Sequence, residues 1–593
     1  MVPAGPMRHL SPVRGAAALF VLSVLSVPLA QAQDPLSPIF QEYLEQHFRQ
    51  RPVDATRLGD HRFDHLMDDL SRQARQGWTT LNRRTLEELP RRVDYATLSR
   101  SSQIDYEIFQ HDLATSLWLT ENTHPFEDDP RVYNEYLTES VFVLLTQSTL
   151  PKETNVAHCL ARMEQLPRVV EAAKANLRNP PRQLVETAIR QNRGAISFYE
   201  TEIAEVAGET LQLAALKESG RRVAGCLRDY QTWLEKELLP RANGEWRLGK
   251  EKFYRKLELE LDAGITADQV LADARTEFDR VEHEMYTIAR QLWGRYLPKQ
   301  SLPPDDTAGR RSTIQQVVAR VGQDHGKAET LVADVRAAVD EVKQFISGND
   351  ILRLPNPDRC TIIEMPEFQR GNSTAFMNSP PPLDPKASGY YAVSPPPKDW
   401  DMQRINSYLE EYNRQMLRIL TIHEAYPGHY VQFEYSNHNP SFIRRVLQSG
   451  AFIEGWAVYT EQTMLDQGFG LGDLTLRLTQ LKFYLRAVAN AILDHKMHCT
   501  TMTDDEALKF LTEDAFQSEG EARLKIIRAK QSSVQLSTYF VGRMAMYRLR
   551  QAVQRELGAQ FDLGRYHEAV LDHGPVPVKY LGELVRARLG QPR

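Results

Sequence analysis

The sequence predicts an all-α, predominantly helical protein with one short extended segment, and three observations lead to this fold class. Apolar residues recur at three- and four-residue steps through most of residues 33–350, for example over 39–48 and 267–293. The same helical periodicity resumes after Trp400 and continues through the C-terminal part of the chain. Between these regions, repeated prolines exclude a long helix over residues 351–400.

These regions define the predicted domain organisation. Residues 33–350 form an N-terminal helical region, 351–400 a Pro-rich extended segment, and 401–593 a C-terminal helical region that carries the chemistry. Within the Pro-rich segment, the β-branched and aromatic residues at 361–364 and 389–393 indicate short strands. Further helices are predicted over residues 103–118, 156–176, 183–206, 211–238 and 313–346.

The first residues are typical of an export signal. Arg8 and Arg14 precede a short apolar run over 16–27, and small residues lead to a predicted cleavage point after Ala32. The run is shorter than the roughly 20 residues that span a bilayer, although an uncleaved anchor is the alternative. We therefore expect a periplasmic or secreted protein with signal peptide 1–32 and no membrane span in the mature chain. A lipid anchor is not expected, because there is no cysteine at the cleavage point, where Gln33 follows Ala32.

Composition narrows the function classes. The 593 residues are 42% apolar and 25% charged, which is ordinary for a globular protein. A formal net charge of -6 without a basic run gives no reason to expect a nucleic-acid partner. The cysteines fit no zinc-binding spacing, and the sequence leaves one disulfide, two or none open. They are Cys159, Cys226, Cys360 and Cys499.

The segment from His423 to His429 carries the strongest chemical signal. A zinc-protease helix has its two histidines at i and i+4, but here the second histidine is at i+6, about 240° further around a regular helix. Position i+4 is Pro427, which has no N–H for the helical hydrogen bond. We therefore expect a two-residue bulge at Tyr426–Gly428 that returns His429 to the face of His423.

Downstream glutamates complete the predicted zinc site. Glu454 suits the third ligand, because a catalytic zinc takes three protein ligands and keeps one position for water. Glu461 follows two helical turns later, where it can accept a hydrogen bond from a ligand histidine. One Zn²⁺ per chain is expected, with Glu424 accepting the proton of the attacking water. The alternative is that the His-Glu pair lies on a solvated helix face.

The two stretches His-Glu-Ala-Tyr-Pro-Gly-His and Glu-Gly-Trp-Ala-x-Tyr resemble the bacterial family called domain of unknown function 885, which is regarded as zinc metallopeptidase-like. The resemblance covers nearly all of the mature chain and implies a two-lobed, metallopeptidase-like body with a deep cleft. This sequence departs from the family pattern at Tyr430, where histidine is frequent, and at residues 532–534, where Pro-Gly is common. Because of the second departure, the sequence does not predict the conformation of the loop before Tyr539.

Further site residues follow from the resemblance. Helical zinc peptidases similar to angiotensin-converting enzyme and thimet oligopeptidase use a downstream tyrosine or histidine to stabilise the oxyanion. Tyr539, in the family-like Tyr-x-x-Gly stretch, is the candidate here, and His498 and His567 are weaker ones. For each of these three residues, the alternative is a structural role in the buried core. In the Pro-rich segment, Tyr390 or Tyr391 is expected to face the substrate, unless the segment is only a structural wrap.

The function that these observations predict is a secreted or periplasmic zinc metallopeptidase acting on short peptides. A zinc amidase that processes a small peptidic metabolite is one alternative, and a non-catalytic, metal-stabilised binding protein is another. The sequence does not specify the natural substrate, the end preference or the oligomeric state. Two imidazoles and one carboxylate also suit other transition metals.

Overall fold

A computed structural model describes residues 35–365, 375–384, 386–396 and 400–590 of the chain. The predicted signal peptide and its cleavage point lie outside these residues. The described chain is predominantly helical with one small sheet, as the sequence predicts. None of its helices is both long enough and apolar enough to cross a bilayer. The four cysteines are free thiols, so none of them forms a disulfide.

The N-terminal region consists of helices joined by short turns. They are α1 Leu36–Gln50, α2 Pro52–Leu58, α3 Arg72–Arg92, α4 Arg100–Asn122, α5 Pro125–Asp128, α6 Arg131–Thr146, α7 Lys152–Met163, α8 Leu166–Asn176, α9 Arg182–Ser197, α10 Ile203–Ala207, α11 Leu213–Trp233, α12 Lys250–Leu261, α13 Ala267–Tyr296, α14 Thr307–Gly322 and α15 Leu331–Gly348. Most of the predicted helices are confirmed. The continuous helix predicted over 313–346 is wrong, because the chain leaves the helix near Gly326 between α14 and α15.

The Pro-rich segment forms a three-stranded sheet in the order β1-β3-β2. Its strands are β1 Cys360–Glu364, β2 Ala375–Asn378 and β3 Gly389–Val393. Strand β1 pairs with β3 in parallel, with Ile362 opposite Tyr391, and β2 pairs with β3 in antiparallel, with Met377 opposite Tyr391. Two of these strands were predicted. The short β2 was missed, because residues 375–378 show no alternation long enough to indicate a strand.

After the sheet the chain is helical again. The helices are α16 Met402–Glu411, α17 Arg414–Glu424, α18 His429–Asn437, α19 Phe442–Val446, α20 Gly450–Asp466, α21 Leu474–Cys499, α22 Asp504–Lys509, α23 Glu519–Gln531, α24 Gln535–Leu557, α25 Leu563–Leu571 and α26 Leu581–Leu589. Side-chain caps set the starts of the helices that matter most for the site. Asn413 accepts hydrogen bonds at the start of α17, Ser449 at the start of α20 and Asp473 at the start of α21.

The buried apolar residues form two clusters that do not divide at residue 350. The smaller cluster draws on Val53, Leu70 and residues 133–242. The larger one joins α1, α3 and α4 to nearly all the buried apolar residues from Phe253 onward. Helices α12 to α15 therefore share one core with the C-terminal helices and with α1, α3 and α4, whereas residues 133–242 form a separate core. Helical periodicity identifies an apolar face, but it does not identify the helix against which that face packs.

The sheet is fastened to the N-terminal helices around Asp384. The Asp384 carboxylate contacts His61 Nε2 at 3.1 Å and accepts a hydrogen bond from Thr149 Oγ1. Gly59 has a φ of 90° and lies so close that a Cβ there would be 2.6 Å from the Asp384 nitrogen. The stretch around Gly59 and His61 thus holds the Pro-rich segment in place.

Candidate metal centre

The polypeptide leaves the helix completely between the two histidines. Helix α17 ends at Glu424 and helix α18 begins at His429, with a cis peptide bond between Tyr426 and Pro427. Trp456 Nε1 donates a hydrogen bond of 2.8 Å to the carbonyl of Pro427. The prediction of a bulge within one continuous helix is therefore wrong, although the helix is interrupted where the sequence indicates. Pro427 ends the first helix, and a new helix presents His429.

Gly428 is required by a close backbone approach. A Cβ at this position would lie 1.9 Å from the carbonyl oxygen of His423 and 2.3 Å from that of Ile422. No side chain larger than hydrogen fits there without a shift of the backbone. The φ of Gly428 is -69°, so left-handed freedom is not what selects glycine. The glycine instead permits the end of α17 and the start of α18 to lie against each other.

This arrangement brings His423, His429 and Glu454 together. Each offers one ligand atom, and these atoms lie within 4.8 Å of one another. Glu454 Oε2 is 3.5 Å from His429 Nε2 and 3.8 Å from His423 Nε2. Both distances are too long for good hydrogen bonds. They fit a shared ion, because two ligands at zinc bond lengths in a tetrahedral site are about 3.4 Å apart.

The polar atoms of the cluster also fit a metal. Glu454 Oε2 is buried and has no hydrogen-bond partner in the described part of the chain. The pKa of His423 is lowered to about 3 by burial and by the neighbouring His429, so its ring is neutral and retains a lone pair. Burial works against the charged form of Glu454, but the neighbouring His429 and His423 outweigh it and lower the pKa of Glu454. Neutral imidazoles beside a carboxylate are the usual ligand set of a hydrolytic zinc.

Glu461 orients the first histidine. Its Oε1 lies 2.7 Å from His423 Nδ1, so His423 donates through Nδ1 and directs Nε2 towards the cluster. Glu454 and Glu461 are two turns apart on α20, which places both carboxylates on one face. Burial raises the pKa of Glu461 well above its ordinary value, and its Oε2 has no partner among the described residues.

His429, the second histidine of the cluster, lacks such a partner in the part of the protein that the structure describes. His429 Nδ1 is buried without a partner in the described chain. Gln432 lies one turn further along α18, and both of its side-chain amide atoms are buried and unpaired. Gln432 is close enough to contribute to the raised pKa of His429. Sequence analysis did not identify Gln432, which lies beside His429 without a hydrogen bond between the two side chains.

Glu424 lies beside the cluster without being one of its ligands. It is 8% exposed, and its Oε2 accepts a 2.9 Å hydrogen bond from the backbone N–H of Met377 in β2. Burial raises the pKa of Glu424 to about 7. A carboxylate with a pKa near neutrality is suited to accept and release a proton. The missed strand β2 is the element that fixes this side chain.

Tyr539 lies beside His423. Its ring is nearly parallel to the His423 ring, with the two centroids 6.4 Å apart. The Tyr539 hydroxyl accepts hydrogen bonds from Arg528 Nη2 at 3.1 Å and from Gln535 Nε2 at 3.4 Å. Burial and the charge of Glu454 raise the pKa of Tyr539, so it remains a proton donor. Arg528 was also missed, because a single arginine on a helix gives no signal in the sequence.

The loop before Tyr539 contains an unusual backbone conformation. Val534 has a φ of 73°, in the region that β-branched residues rarely adopt. Its N–H lies 3.2 Å from Asp494 Oδ1, and its side chain is fully buried. The departure from the family's Pro-Gly pattern therefore falls where the backbone conformation favours glycine.

His498 and His567 do not belong to the site. His498 is 2% exposed and its Nε2 donates to the carbonyl of Ala529 at 2.9 Å, while its Nδ1 faces the N–H of Leu248. His567 Nδ1 donates to the carbonyl of Ile351, and its Nε2 accepts from the Tyr459 hydroxyl. Both histidines use both ring nitrogens inside the core. Their proposed role at the substrate is corrected to a structural one.

The two tyrosines of β3 are also corrected. Tyr391 is fully buried and points into the core, where burial raises its pKa. Tyr390 is half-buried, and its hydroxyl hydrogen-bonds to the carbonyl of Thr146 at the end of α6. Neither side chain is free to bind a substrate. The side of the sheet nearest the cluster is instead the edge strand β2, through Met377.

Comparison with protein families decides the membership of the chain. Residues 52–585 match the model of a family described as "Bacterial protein of unknown function (DUF885)". The chain belongs to the DUF885 family. No curated protein matches the sequence significantly. The stretches that define the resemblance are those that build the centre: the helix break with Gly428, and helix α20 with Glu454.

Two solved structures are similar to this DUF885 chain. One is described as a "putative lipoprotein of unknown function" from Shewanella oneidensis, with 29% identity, a TM-score of 0.75, and coverage of 92% of this chain and 99% of that one. The other is a "putative lipoprotein" from Colwellia psychrerythraea, with 18% identity, a TM-score of 0.75, and coverage of 94% and 98%. The second likeness concerns the fold alone.

Proposed function

We propose that this DUF885 protein is a zinc-dependent metallopeptidase that hydrolyses peptide bonds of short peptides through a metal-activated water. One observation carries the proposal. His423, His429 and the unpaired Oε2 of Glu454 converge at spacings suited to one ion, and Glu424 lies beside them with a pKa near neutrality. A purely structural metal site has no need of that second carboxylate.

One Zn²⁺ per chain is the expected occupant of His423, His429 and Glu454. When bound, zinc supplies Lewis-acid polarisation of a carbonyl and lowers the pKa of a water ligand to about 7. Three protein ligands leave a position open for that water, as in catalytic zinc sites. Glu461 holds the His423 imidazole in the tautomer that binds through Nε2.

Glu424 is the proposed general base. Its Oε2 is held by the Met377 N–H, which leaves Oε1 to accept a proton from the attacking water. The same carboxylic acid then protonates the amine as the peptide bond breaks. A group with a pKa of about 7 performs both transfers at neutral pH without a large energetic penalty in either direction.

Tyr539 is the proposed donor to the oxyanion. Arg528 and Gln535 donate to its hydroxyl oxygen, and the hydroxyl proton remains available for the substrate. Removing one such donor from a hydrolase typically lowers the rate by about 10²- to 10³-fold. Arg528 keeps the hydroxyl oriented and increases its acidity, so it is a positioning residue.

The edge strand β2 supports an extended peptide as the substrate. Because the Met377 N–H contacts Glu424, the outer edge of β2 lies alongside the base, and no strand of the described chain pairs with that edge. An extended chain added to such an edge forms main-chain hydrogen bonds beside the reacting carbonyl. We also propose that the protein has the two-lobed body with a deep cleft that the family resemblance implies.

We place the enzyme in the periplasm or outside the cell. The proposed signal peptide over residues 1–32 supports this location. The description of both structural neighbours as lipoproteins supports an envelope or extracellular location.

The test combines metal analysis with peptide turnover. Purified mature protein should contain one zinc per chain, and His423→Ala should lose it. His438→Ala is the matched control, because this exposed histidine directly after α18 contacts the Glu434 carbonyl of that helix and is not part of the cluster. Glu424→Gln should retain zinc and lose cleavage of a short-peptide library. Zinc without cleavage of any peptide would favour the amidase or the binding protein, and the absence of bound metal would end the proposal.

A further inference from the structure

Three cationic side chains lie together on the Tyr539 side of the metal centre. Arg486 is on α21, and Lys525 and Arg528 are on successive turns of α23. Lys525 is only 6% exposed, and the Arg486 side chain is 15% exposed. We call these three residues the cationic cluster. Burying this much positive charge is costly unless anionic groups neutralise it.

The cluster adjoins the proposed reacting groups. Arg528 Nη2 lies 3.1 Å from the Tyr539 hydroxyl, and the Tyr539 ring stacks beside His423. The Arg486 guanidinium lies 5.3 Å from the centroid of the Phe483 ring, which in turn contacts the His423 ring at 5.8 Å. Two independent chains of contacts thus lead from the cluster to the same ligand.

The anionic partners present do not balance these cations. Glu521 uses one carboxylate oxygen for Arg486 at 3.0 Å and the other for the Tyr412 hydroxyl. Arg528 donates to the uncharged Tyr539 and Gln535. Within the described residues, Arg486 Nη1 is buried without a partner. The carboxylates that act on the Lys525 ammonium are Glu521, which is already paired with Arg486, and Glu454.

The electrostatic balance favours an incoming anion. Burial, followed by the charges of Arg486 and Arg528, holds the pKa of Lys525 well below its ordinary range. Glu454 is the remaining carboxylate that acts on Lys525, and in the proposed mechanism it binds zinc. A substrate carboxylate at this position would pair with Lys525 and relieve the repulsion among the three cations.

We propose that the cationic cluster binds a carboxylate of the peptide substrate, with Lys525 as its direct partner. The inference deepens the proposed function and rests on it. A short peptide has such a group at its C-terminus, and an acidic side chain is the other source. Planar carboxylates match the arginine fork, and ammonium ions add a point charge. The enzyme would then select substrates by a negative charge near the cleaved bond.

Binding without turnover tests the cluster separately from catalysis. The ligands are N-acetyl-tetraalanine with a free C-terminus and the same peptide as a C-terminal carboxamide. They are titrated calorimetrically into zinc-loaded Glu424→Gln protein. We expect the free acid to bind roughly 10- to 100-fold more tightly, as typical for a lost charge-assisted hydrogen bond. Adding Lys525→Met should remove this preference, and Lys525→Arg should restore part of it.

Lys530→Met is the matched control. Lys530 is a similarly buried lysine on the same helix, but its ammonium is paired with Asp504 at 2.6 Å. Its loss should leave the ratio of acid to amide affinity unchanged. A third peptide, an amidated one with an internal aspartate, identifies the source of the carboxylate. Tight, Lys525-dependent binding of this peptide assigns the cluster to an acidic side chain.

Two results would overturn the inference. Equal affinity for the acid, the amide and the aspartate peptide would show that no carboxylate is recognised. A preference that survives Lys525→Met would place recognition elsewhere. If the binding preference is present but wild-type protein cleaves none of the peptides, the carboxylate site stands and the proposed peptidase function fails.

Discussion

Gly455 and Gly542 lie against each other where helix α20 crosses helix α24. A Cβ on Gly455 would be 2.4 Å from the Cα of Gly542, and a Cβ on Gly542 would be 1.7 Å from the carbonyl oxygen of Ala451. The two helices therefore touch through their backbones. Glu454 precedes the first glycine, and Tyr539 precedes the second by one turn. This contact sets the separation between the third proposed ligand and the proposed oxyanion donor.

Gly542→Ala should destabilise the protein and disturb the centre. The added methyl group meets backbone atoms of α20 that cannot rotate away, so the helices must separate. We expect a loss of at least about 3 kcal/mol in the free energy of unfolding, at the upper end for overpacking. Urea unfolding measures this loss. Gly450→Ala on α20 is the control, because its Cβ would meet only Thr538 at 3.7 Å. Equal stability of the two variants would contradict the backbone contact.

Glu461→Gln should weaken metal binding without abolishing it. The amide oxygen can still accept from His423 Nδ1, but an amide, unlike a carboxyl group, cannot become negatively charged when zinc binds. Changes at such outer partners typically cost about 10- to 100-fold in metal affinity. Competition with a fluorescent chelator measures the zinc affinity. Glu434→Gln, which alters another buried glutamate outside the ligand cluster, should leave it unchanged. An unaltered affinity in Glu461→Gln would remove Glu461 from the centre.

Sequence patterns predicted which residues meet at the metal centre. They predicted less well the backbone conformation that brings these residues together. The i+6 spacing and Pro427 indicate that a regular helix must be interrupted. They do not distinguish a bulge from two separate helices, because that choice depends on Trp456 and on the close approach at Gly428. Glu454 and Glu461 could be predicted as a pair because helical periodicity alone puts them on one face.

The residues that sequence analysis missed act through tertiary contacts. Met377 fixes Glu424 through a backbone N–H, which has no side-chain signature. Arg528 and Lys525 resemble the polar face of any surface helix, and only their burial distinguishes them. His498 and His567 were instead predicted as site residues although they lie outside the site. Their chemistry suits a site, but hydrogen bonds to backbone carbonyls hold both in the core.

Tyr539→Phe should lower turnover while leaving metal content unchanged. The phenylalanine ring preserves the stacking on His423 and removes only the hydroxyl group. We expect kcat to fall about 10²- to 10³-fold, with little change in KM. Tyr547→Phe, two turns further along α24, is the control and should retain full activity. Unchanged turnover in Tyr539→Phe would exclude Tyr539 as the oxyanion donor.

Asp494→Asn should change how stability depends on pH. Asp494 is fully buried, and burial raises its pKa to about 7, although Ser537 and the Val534 N–H donate to its oxygens. An unfolded aspartate titrates near a pKa of about 3.9. Below that pH both states bind the proton, so the carboxyl group does not oppose folding. As the pH rises towards 7, only the unfolded state releases the proton readily, and the free energy of unfolding falls.

Asparagine cannot ionise, so the free energy of unfolding of the variant does not fall in this way as the pH rises. Relative to wild type, it should gain up to about 4 kcal/mol between pH 4 and pH 8, because each pKa unit corresponds to about 1.4 kcal/mol. Calorimetric melting temperatures of both proteins across this range measure the difference, and other titrating groups cancel because both proteins contain them. A difference that does not vary with pH, or that favours wild type as the pH rises, would mean that the two hydrogen bonds keep Asp494 ionised in the folded protein.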